Sequence, residues 1–356
     1  VSLAAFSVDH LRCLEHATLD LHPGHNLIWG SNASGKTSLL ESIFLLGRGR
    51  SFRTRNSERL IRHGHDKLVV FGRTDDTPSK TLGVQVSRAE GTIAKISGQF
   101  AQSLADLTCA FAVQVIEPGI HRLVEEGGHR RRRWMDWAVF HVEPNFIEAW
   151  SSYTRSLKQR NAALKTQPQQ AAAWDPELIR LGEAIAESRR AFIDRLQPYW
   201  LQVTAELLGA QVDLHYARGW PQGISLAEAL VIARDRDAQR GLTHAGPHRA
   251  DVLIRIGSKA ARDILSRGQQ KLVAIAMTLA QLRLIREVSG TTPTLLLDDP
   301  AAELDRNRLE RFAEQVNALQ CQLVVTALSA QLDPLGSPDR AFHVEQGRME
   351  PYNAPP

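Results

Sequence analysis

The run Gly30-Ser31-Asn32-Ala33-Ser34-Gly35-Lys36-Thr37-Ser38 matches GxxxxGK[ST], with the apolar stretch 25–29 ahead of it and a helix-like run, 38–46, behind it. Strand, glycine-bounded loop and helix in that order leave few architectures open. They predict an α/β chain in which the loop cradles phosphates where a strand gives way to a helix. A triphosphate carries several negative charges, and the backbone N–H groups of a tight loop meet them without bulky side chains. Lys36 adds a point charge for the β and γ phosphates, and Thr37 offers a hydroxyl to Mg²⁺. Ala33 stands where related loops often carry glycine, which removes some backbone freedom. Gly30 to Ser38 are therefore the predicted nucleotide contacts.

A second apolar strand carries matching carboxylates. Thr294-Leu295-Leu296-Leu297-Asp298-Asp299 reads as a Walker B element, in which Asp298 holds Mg²⁺ through water and Asp299 orients or deprotonates the attacking water. Paired Asp residues also cap ordinary turns; the P-loop in the same chain decides for the metal reading. Upstream, Leu265-Ser266-Arg267-Gly268-Gln269-Gln270-Lys271 opens a helix, so that its first N–H groups and the Ser266 hydroxyl can contact a γ-phosphate. A plain N-cap is the bland alternative, and the order decides against it. A Ser-x-Gly-Gln helix start, the Asp298 strand and then Ala302-Glu303-Leu304-Asp305, resembling a D-loop, is the order of the ABC-type ATPases. There the signature of one subunit closes over nucleotide held by the P-loop of another. Ser266, Arg267, Gly268, Gln269 and Asp305 join the predicted nucleotide contacts, and an ATP-dependent homodimer is expected.

At 356 residues the chain exceeds what one core usually serves. Hydrophobic patterning predicts strands at 4–11, 17–21, 27–29, 67–73, 81–88 and 92–97, a β-rich half around the nucleotide loop. From Glu117 the spacing turns helical over 129–164 and 176–208, with a polar, Ala-rich linker at 166–173. Beyond Gly241, strands at 250–256, 294–297 and 322–326 alternate with helices at 268–288 and 304–319, as in a largely parallel sheet faced by helices. The expected division is a head of 1–116 and 243–356 with an inserted helical lobe of 117–242.

No apolar run is long enough to span a bilayer and the first residues lack the order of a signal peptide, so cytoplasmic residence is expected. Cys13, Cys109 and Cys321 are isolated, which argues against a disulfide framework or a CxxC zinc site and makes buried thiols the expectation. A formal charge of +4 is only mildly basic, but the arginines are concentrated. Arg48, Arg50, Arg53 and Arg55 follow the P-loop helix, and Arg130, Arg131, Arg132 and Arg133 open the lobe. Such clusters bind duplex or junction backbone by counterion release, and few aromatics are interleaved for single-strand stacking. These arginines are predicted DNA contacts. For any one of them the alternative is a solvated charge, or an exposed pair with Glu58, Glu125 or Glu126 worth about 0–1 kcal/mol. His244, His248 and Asp251 lack metal-ligand spacing, and a turn into a strand accounts for Gly246 and Pro247.

Taken in order, Gly30 to Ser38, Gly47-Arg48-Gly49-Arg50-Ser51-Phe52-Arg53, Arg130 to Trp137, Thr243-His244-Ala245-Gly246-Pro247-His248-Arg249-Ala250-Asp251, Leu265 to Leu272 and Leu295 to Asp305 resemble the RecF family. These are bacterial recombination and gap-repair ATPases, and the resemblance covers nearly the whole chain. The GPHR and GRGRSFR segments are far more specific to it than the P-loop. The resemblance implies an α/β, ABC/SMC-like P-loop ATPase head with a helical lobe inserted between the Walker A half and the signature and Walker B half. It also implies an ATP-dependent DNA-binding protein that dimerises on ATP and is a weak, DNA-dependent ATPase. Its implied partners are RecR, and RecO in the wider pathway, helping RecA load at single-stranded gaps. On that footing Lys36, Thr37 and Asp298 hold Mg-ATP, Asp299 serves hydrolysis, and Ser266 to Gln269 complete the partner's site. Gln114 lies in the region of the Q-loop glutamine that senses Mg²⁺, but the segment 113–119 departs from the family's usual Pro-Glu-Asp-Leu-like run, and its role stays open at this point. Pro300 and Ala301 replace the bulkier apolar residues usual after the second Asp. A transporter-type nucleotide-binding subunit shares the P-loop, signature and Asp298 strand; the long basic lobe between Lys36 and Ser266 stands against it.

Overall fold

The helix Lys36–Arg48 is covered on all sides, with 12 of its 13 residues buried. Two six-stranded sheets cover it. One is antiparallel, in spatial order Leu14–Asp20, Leu3–Leu11, Lys67–Thr74, Thr81–Ser87, Gly91–Ile96 and Gln99–Phe100. The other runs Arg348–Tyr352, Arg340–Glu345, His25–Trp29, Leu323–Ala327, Thr294–Asp298 and Val113–Ile116, parallel except for its terminal hairpin. Leu39, Leu40, Ile43 and Leu46 share one core with Leu3, Val8, Leu68 and Val84 of the first sheet and Ile28, Leu296 and Val324 of the second. Each such side chain contributes about 1.5–3 kcal/mol by leaving water. The second sheet is the largely parallel one expected of strands 294–297 and 322–326, whereas the expected strand 250–256 lies in neither. Strands such as Lys67–Thr74 alternate exposed and buried residues, the pattern of an antiparallel sheet with one wet face.

These elements belong to the compact unit Val1–Ile120 with Ile285–Pro356; the second unit is His121–Leu284. Residues 2–302, 304–330 and 334–352 are described in this computed structural model. Glu303 of the expected D-loop lies outside them.

The second unit contains helices Gly128–Val142, Phe146–Thr166, Asp175–Leu208 and Leu226–Arg240, most of Arg267–Ser289, and a three-stranded antiparallel sheet of Lys259–Ala260, Asp251–Ile256 and Asp213–Ala217. Pro144, which lacks an N–H and disfavours a helical residue before it, divides the expected helix 129–164 in two. The expected linker 166–173 is instead the 3-10 helix Pro168–Trp174, with Ala171 buried. Residues 243–284, expected in the head, fall in this unit for two reasons. Asp251–Ile256 pairs with Asp213–Ala217, and Arg131 grips Asp251 through two hydrogen bonds of 2.8 and 2.9 Å. Arg189, 0% exposed, holds Asp136 in the same bidentate way at 2.8 and 3.0 Å, which is what makes a buried charge tolerable. Cys321 is buried as expected, whereas Cys13 and Cys109 are exposed. No described helix is long and apolar enough to cross a membrane.

Candidate functional site

The strand His25–Trp29 ends with Trp29 level with Ala327 and His343 on its neighbours, so the loop after it leaves from the carboxyl edge of the parallel strands. Open α/β sheets bind ligands at that edge. Gly30 has φ 156° and Gly35 φ 117°, and a Cβ on Gly30 would lie 2.2 Å from the Val344 carbonyl oxygen. Ala33 has φ 63°, a left-handed conformation that costs an L-residue roughly 1–2 kcal/mol. Lys36 is 7% exposed, and its Nζ donates to the carbonyls of Gly30 at 2.8 Å and Ser31 at 2.7 Å. Burial pushes the Lys36 pKa down, while Asp299 and Asp298 pull it up. Gly35 leaves the helix start without a side-chain cap, and the Ser34 hydroxyl is buried with no hydrogen-bond partner among the described residues. Uncapped N–H groups and an orphan hydroxyl around a buried ammonium fit a phosphate group.

Parallel pairing sets Asp298 level with Thr326. The Thr37 hydroxyl donates to the Asp298 carboxylate, 2.9 and 3.1 Å from its two oxygens, and the Thr326 hydroxyl donates to Asp298 Oδ1 at 2.9 Å. Asp299, at φ 48°, donates its amide to Thr326 Oγ1 at 3.0 Å. Thr326 therefore orders both acidic residues. Sequence reading missed it, although a lone threonine in the apolar run 323–327 was the available signal. Burial raises the Asp299 pKa; Lys36 opposes the rise and Asp298 adds to it. The hard oxygens of Thr37 and Asp298 beside a phosphate-fit loop suit Mg²⁺, which takes one or two protein ligands and the rest from phosphate and water.

Gln114 does not join them. Its strand pairs Gln114 with Leu295 and Ile116 with Leu297, so it stands three residues short of Asp298, about 10 Å back along the strand. That position, 8% exposed within the sheet, stands against the Mg²⁺-sensing role that the sequence left open. Ser266, Arg267, Gly268 and Gln269 are exposed and lie in the second unit. The Ser266 amide donates to Gln269 Oε1 at 3.0 Å and the Gln269 amide to Ser266 Oγ at 3.4 Å, a reciprocal capping box. A Cβ on Gly268 would meet nothing within 4 Å. A glycine costs a helix up to about 1 kcal/mol, and no crowding among the described residues calls for it here. Asp305 is exposed and caps Arg306–Ala318, its Oδ1 accepting from the Arg308 amide at 3.0 Å.

Burial divides the arginines. Arg48 is 7% exposed with its guanidinium 5.4 Å from the Phe44 ring centre. Arg131, also 7% exposed, is spent on Asp251 and on the carbonyls of Leu123, Val124 and Glu126. Buried side chains offer little guanidinium to a DNA backbone, which stands against the assignment of Arg48 and Arg131 as DNA contacts. Arg130 pairs with Glu126, and Arg132 is half-buried against the Ala250 carbonyl. Arg53, Arg55 and Arg133 are exposed and Arg50 is half-buried. The residue that holds the loop of Arg50, Arg53 and Arg55 was also missed. Glu41, 0% exposed on the P-loop helix, forms an ion pair with Arg12 at 2.9 Å and accepts from the Ser51 hydroxyl, which itself accepts the amides of Arg53 and Thr54 at 2.9 Å each. His244 binds Asp237 and His248 binds Tyr153. Among the described residues no group of three or more potential metal ligands occurs.

A family model described as "RecF/RecN/SMC N terminal domain" matches residues 2–348. The DNA replication and repair protein RecF of Pseudomonas syringae pv. syringae is 40% identical over 359 residues, covering 98% of each chain. A solved structure of the recombination mediator protein RecF-ATP in the RecFOR pathway is 26% identical with a TM-score of 0.88, covering 99% of this chain and 97% of that one. An Smc head bound to the C-winged helix domain of ScpA is 14% identical with a TM-score of 0.60, covering 99% and 97%, and shares the fold.

Proposed function

The chain belongs to the RecF family, within the RecF/RecN/SMC group, and from that membership we propose that it is an ATP-dependent DNA-binding protein of recombinational gap repair. The observation that carries the reading is the meeting of Lys36, Thr37, Asp298 and Asp299 at one sheet edge, in a chain whose Ser266 helix start is left exposed. Lys36 offsets the charge of the phosphate tail, and Thr37 and Asp298 hold Mg²⁺. Asp299, made more basic by burial, accepts the proton of the attacking water on its carboxylate. Mg-ATP, when bound, supplies the phosphoanhydride that is broken.

In this reading Ser266 to Gln269 of one copy close over nucleotide held by another, with Asp305 alongside, so that ATP joins two heads. Weak, DNA-dependent hydrolysis releases them. Arg50, Arg53, Arg55 and Arg133 grip duplex or gap-junction backbone. RecR is the proposed direct partner, RecO and RecA act in the same pathway, and the cytoplasm is the proposed location. Relatives that carry the RecF name over their full length support this over a transporter subunit.

The test is a Lys36→Ala protein, which should stay folded yet fail to dimerise when ATP is added, as read by sedimentation. Unmodified protein should bind duplex DNA more tightly with ATP. Four phosphate contacts per chain should give a log–log salt slope of roughly −3 to −4 per chain, about twice that for the ATP-joined dimer. An ATP-dependent dimer that survives Lys36→Ala would refute the switch.

A further inference from the structure

The segment 243–251 is held more elaborately than a turn into a strand requires. The Gly246 amide donates to the Gly219 carbonyl at 3.2 Å, and a Cβ on Gly219 would lie 2.2 Å from the Gly246 carbonyl oxygen. A Cβ on Gly246, at φ 137°, would lie 2.5 Å from the Tyr153 hydroxyl. Buried Arg189 donates to the Pro247 carbonyl at 2.6 Å. His248 Nε2 is 2.9 Å from the Thr243 carbonyl and Nδ1 is 2.7 Å from the Tyr153 hydroxyl. A carbonyl only accepts, so Nε2 carries the proton and Nδ1 accepts from Tyr153. Thr243, His244, Gly246, Pro247 and His248 each have polar groups engaged in this way. Arg249 then points an exposed side chain that makes no hydrogen bond or ion pair among the described residues.

Beside it, Arg132 Nη1 donates to the Ala250 carbonyl at 2.5 Å, passing Gly128, where a Cβ would lie 2.9 Å from that nitrogen. The nearby acids are taken, Asp251 by Arg131 and Asp136 by Arg189. Four guanidiniums therefore face two carboxylates. Burial and the like charges of Arg189 and Arg249 push the Arg132 pKa down, against Asp251 and Asp136. A half-buried cluster with cations in excess is stabilised by an anion.

We propose that Arg249 and Arg132 form a phosphate-binding site on the helical unit, with Arg249 as the reaching group and Arg132 as its half-buried neighbour. The guanidinium fork matches paired phosphate oxygens. A nucleic-acid backbone and the phosphate tail of a nucleotide held by a second copy both carry that group. Naming these two sources rests on the function proposed above; the site itself does not.

The decisive measurement titrates inorganic pyrophosphate into Lys36→Ala protein, whose P-loop lysine is gone, and follows ³¹P resonance shifts. Adding Arg249→Ala should weaken binding about tenfold while leaving the melting temperature unchanged, since that side chain supports nothing in the fold. Equal pyrophosphate affinity with and without Arg249 overturns the proposal. Arg249→Ala in the otherwise unmodified chain then identifies the source. A DNA salt slope shallower by about 0.9 assigns the site to backbone phosphate; a weaker ATP-driven dimer at unchanged slope assigns it to nucleotide. If the unmodified chain neither binds DNA nor dimerises, the proposed function falls, while the pyrophosphate titration still reads the site.

Discussion

Acid should loosen the turn that presents Arg249, by an amount set by His248. Burial pushes the His248 pKa down from 6.5 to about 4, with the Thr243 carbonyl opposing and Arg249 and Arg132 adding to the fall. The folded chain thus resists a proton that the unfolded chain accepts. Stability from this group is complete above pH 6.5 and is lost as pH falls toward 4, because the unfolded state binds more protons throughout that window. At pH 5 the partition between the two states is about thirtyfold, so going from pH 7 to pH 5 costs about 2 kcal/mol. Structurally, protonated Nδ1 would donate to the Tyr153 oxygen 2.7 Å away, so the Tyr153 O–H would have to turn from the ring and give up the bond it donates there. Six of the seven tryptophans (134, 137, 150, 174, 200 and 220) lie in the unit 121–284, so intrinsic fluorescence during urea unfolding reports on that unit. His248→Gln keeps an amide donor and acceptor but does not titrate. The unmodified chain should lose about 2 kcal/mol more than the variant between pH 7 and pH 5. A difference below roughly 0.5 kcal/mol would refute the argument that the buried, neutral ring sets this dependence.

Asp299→Asn should keep the ATP-driven dimer yet slow hydrolysis by about 10²–10⁴-fold; because burial raises the Asp299 pKa, hydrolysis by the unmodified chain should fall with pH around a midpoint above that of an ordinary aspartate. A rate that does not change through that acid range would remove Asp299 from the proton transfer. Ala33→Gly relieves a left-handed alanine at φ 63° and should stabilise the chain by about 1 kcal/mol after the extra entropy of unfolded glycine is counted. Thermal unfolding checks it, and a lower midpoint for the glycine variant would contradict the backbone reading.

The nucleotide half of the site was legible because its chemistry is local. Nine consecutive residues specify a loop that only glycine can turn at Gly30, and an apolar strand ending in two carboxylates announces where its partner lies. Alternation of buried and exposed positions likewise marked most strands of the antiparallel sheet. The arginines were not legible, since Arg131 and Arg133 are two letters apart in one basic run. Asp251 separates them: it lies 120 positions further along the chain and is brought to Arg131 by the fold alone. The role of Gln114 stayed open in the sequence for a related reason. A four-residue strand has no periodicity from which to read its register, and register puts it opposite Leu295.

One adjacency in the sequence has a physical reason that only the structure supplies. The helix between the GKT turn and the GRGRSFR loop is 13 residues, about 20 Å long, so it carries the chain well away from the phosphates before the arginines begin. Glu41, five residues into the helix after Lys36, undoes part of that separation. Its buried carboxylate takes the Ser51 hydroxyl, Ser51 takes the amides of Arg53 and Thr54, and Arg12 neutralises the charge from the strand turn next to the P-loop. Without Arg12 the fully buried carboxylate would lose its nearer counter-charge, leaving Arg53 at 3.8 Å; without Glu41 the loop would lose the anchor that folds it back. The exposed guanidiniums of Arg53 and Arg55 are therefore carried on a loop pinned to the helix whose first turn holds Lys36 and Thr37, so a backbone gripped by those arginines and a triphosphate cradled by that turn bear on one rigid element.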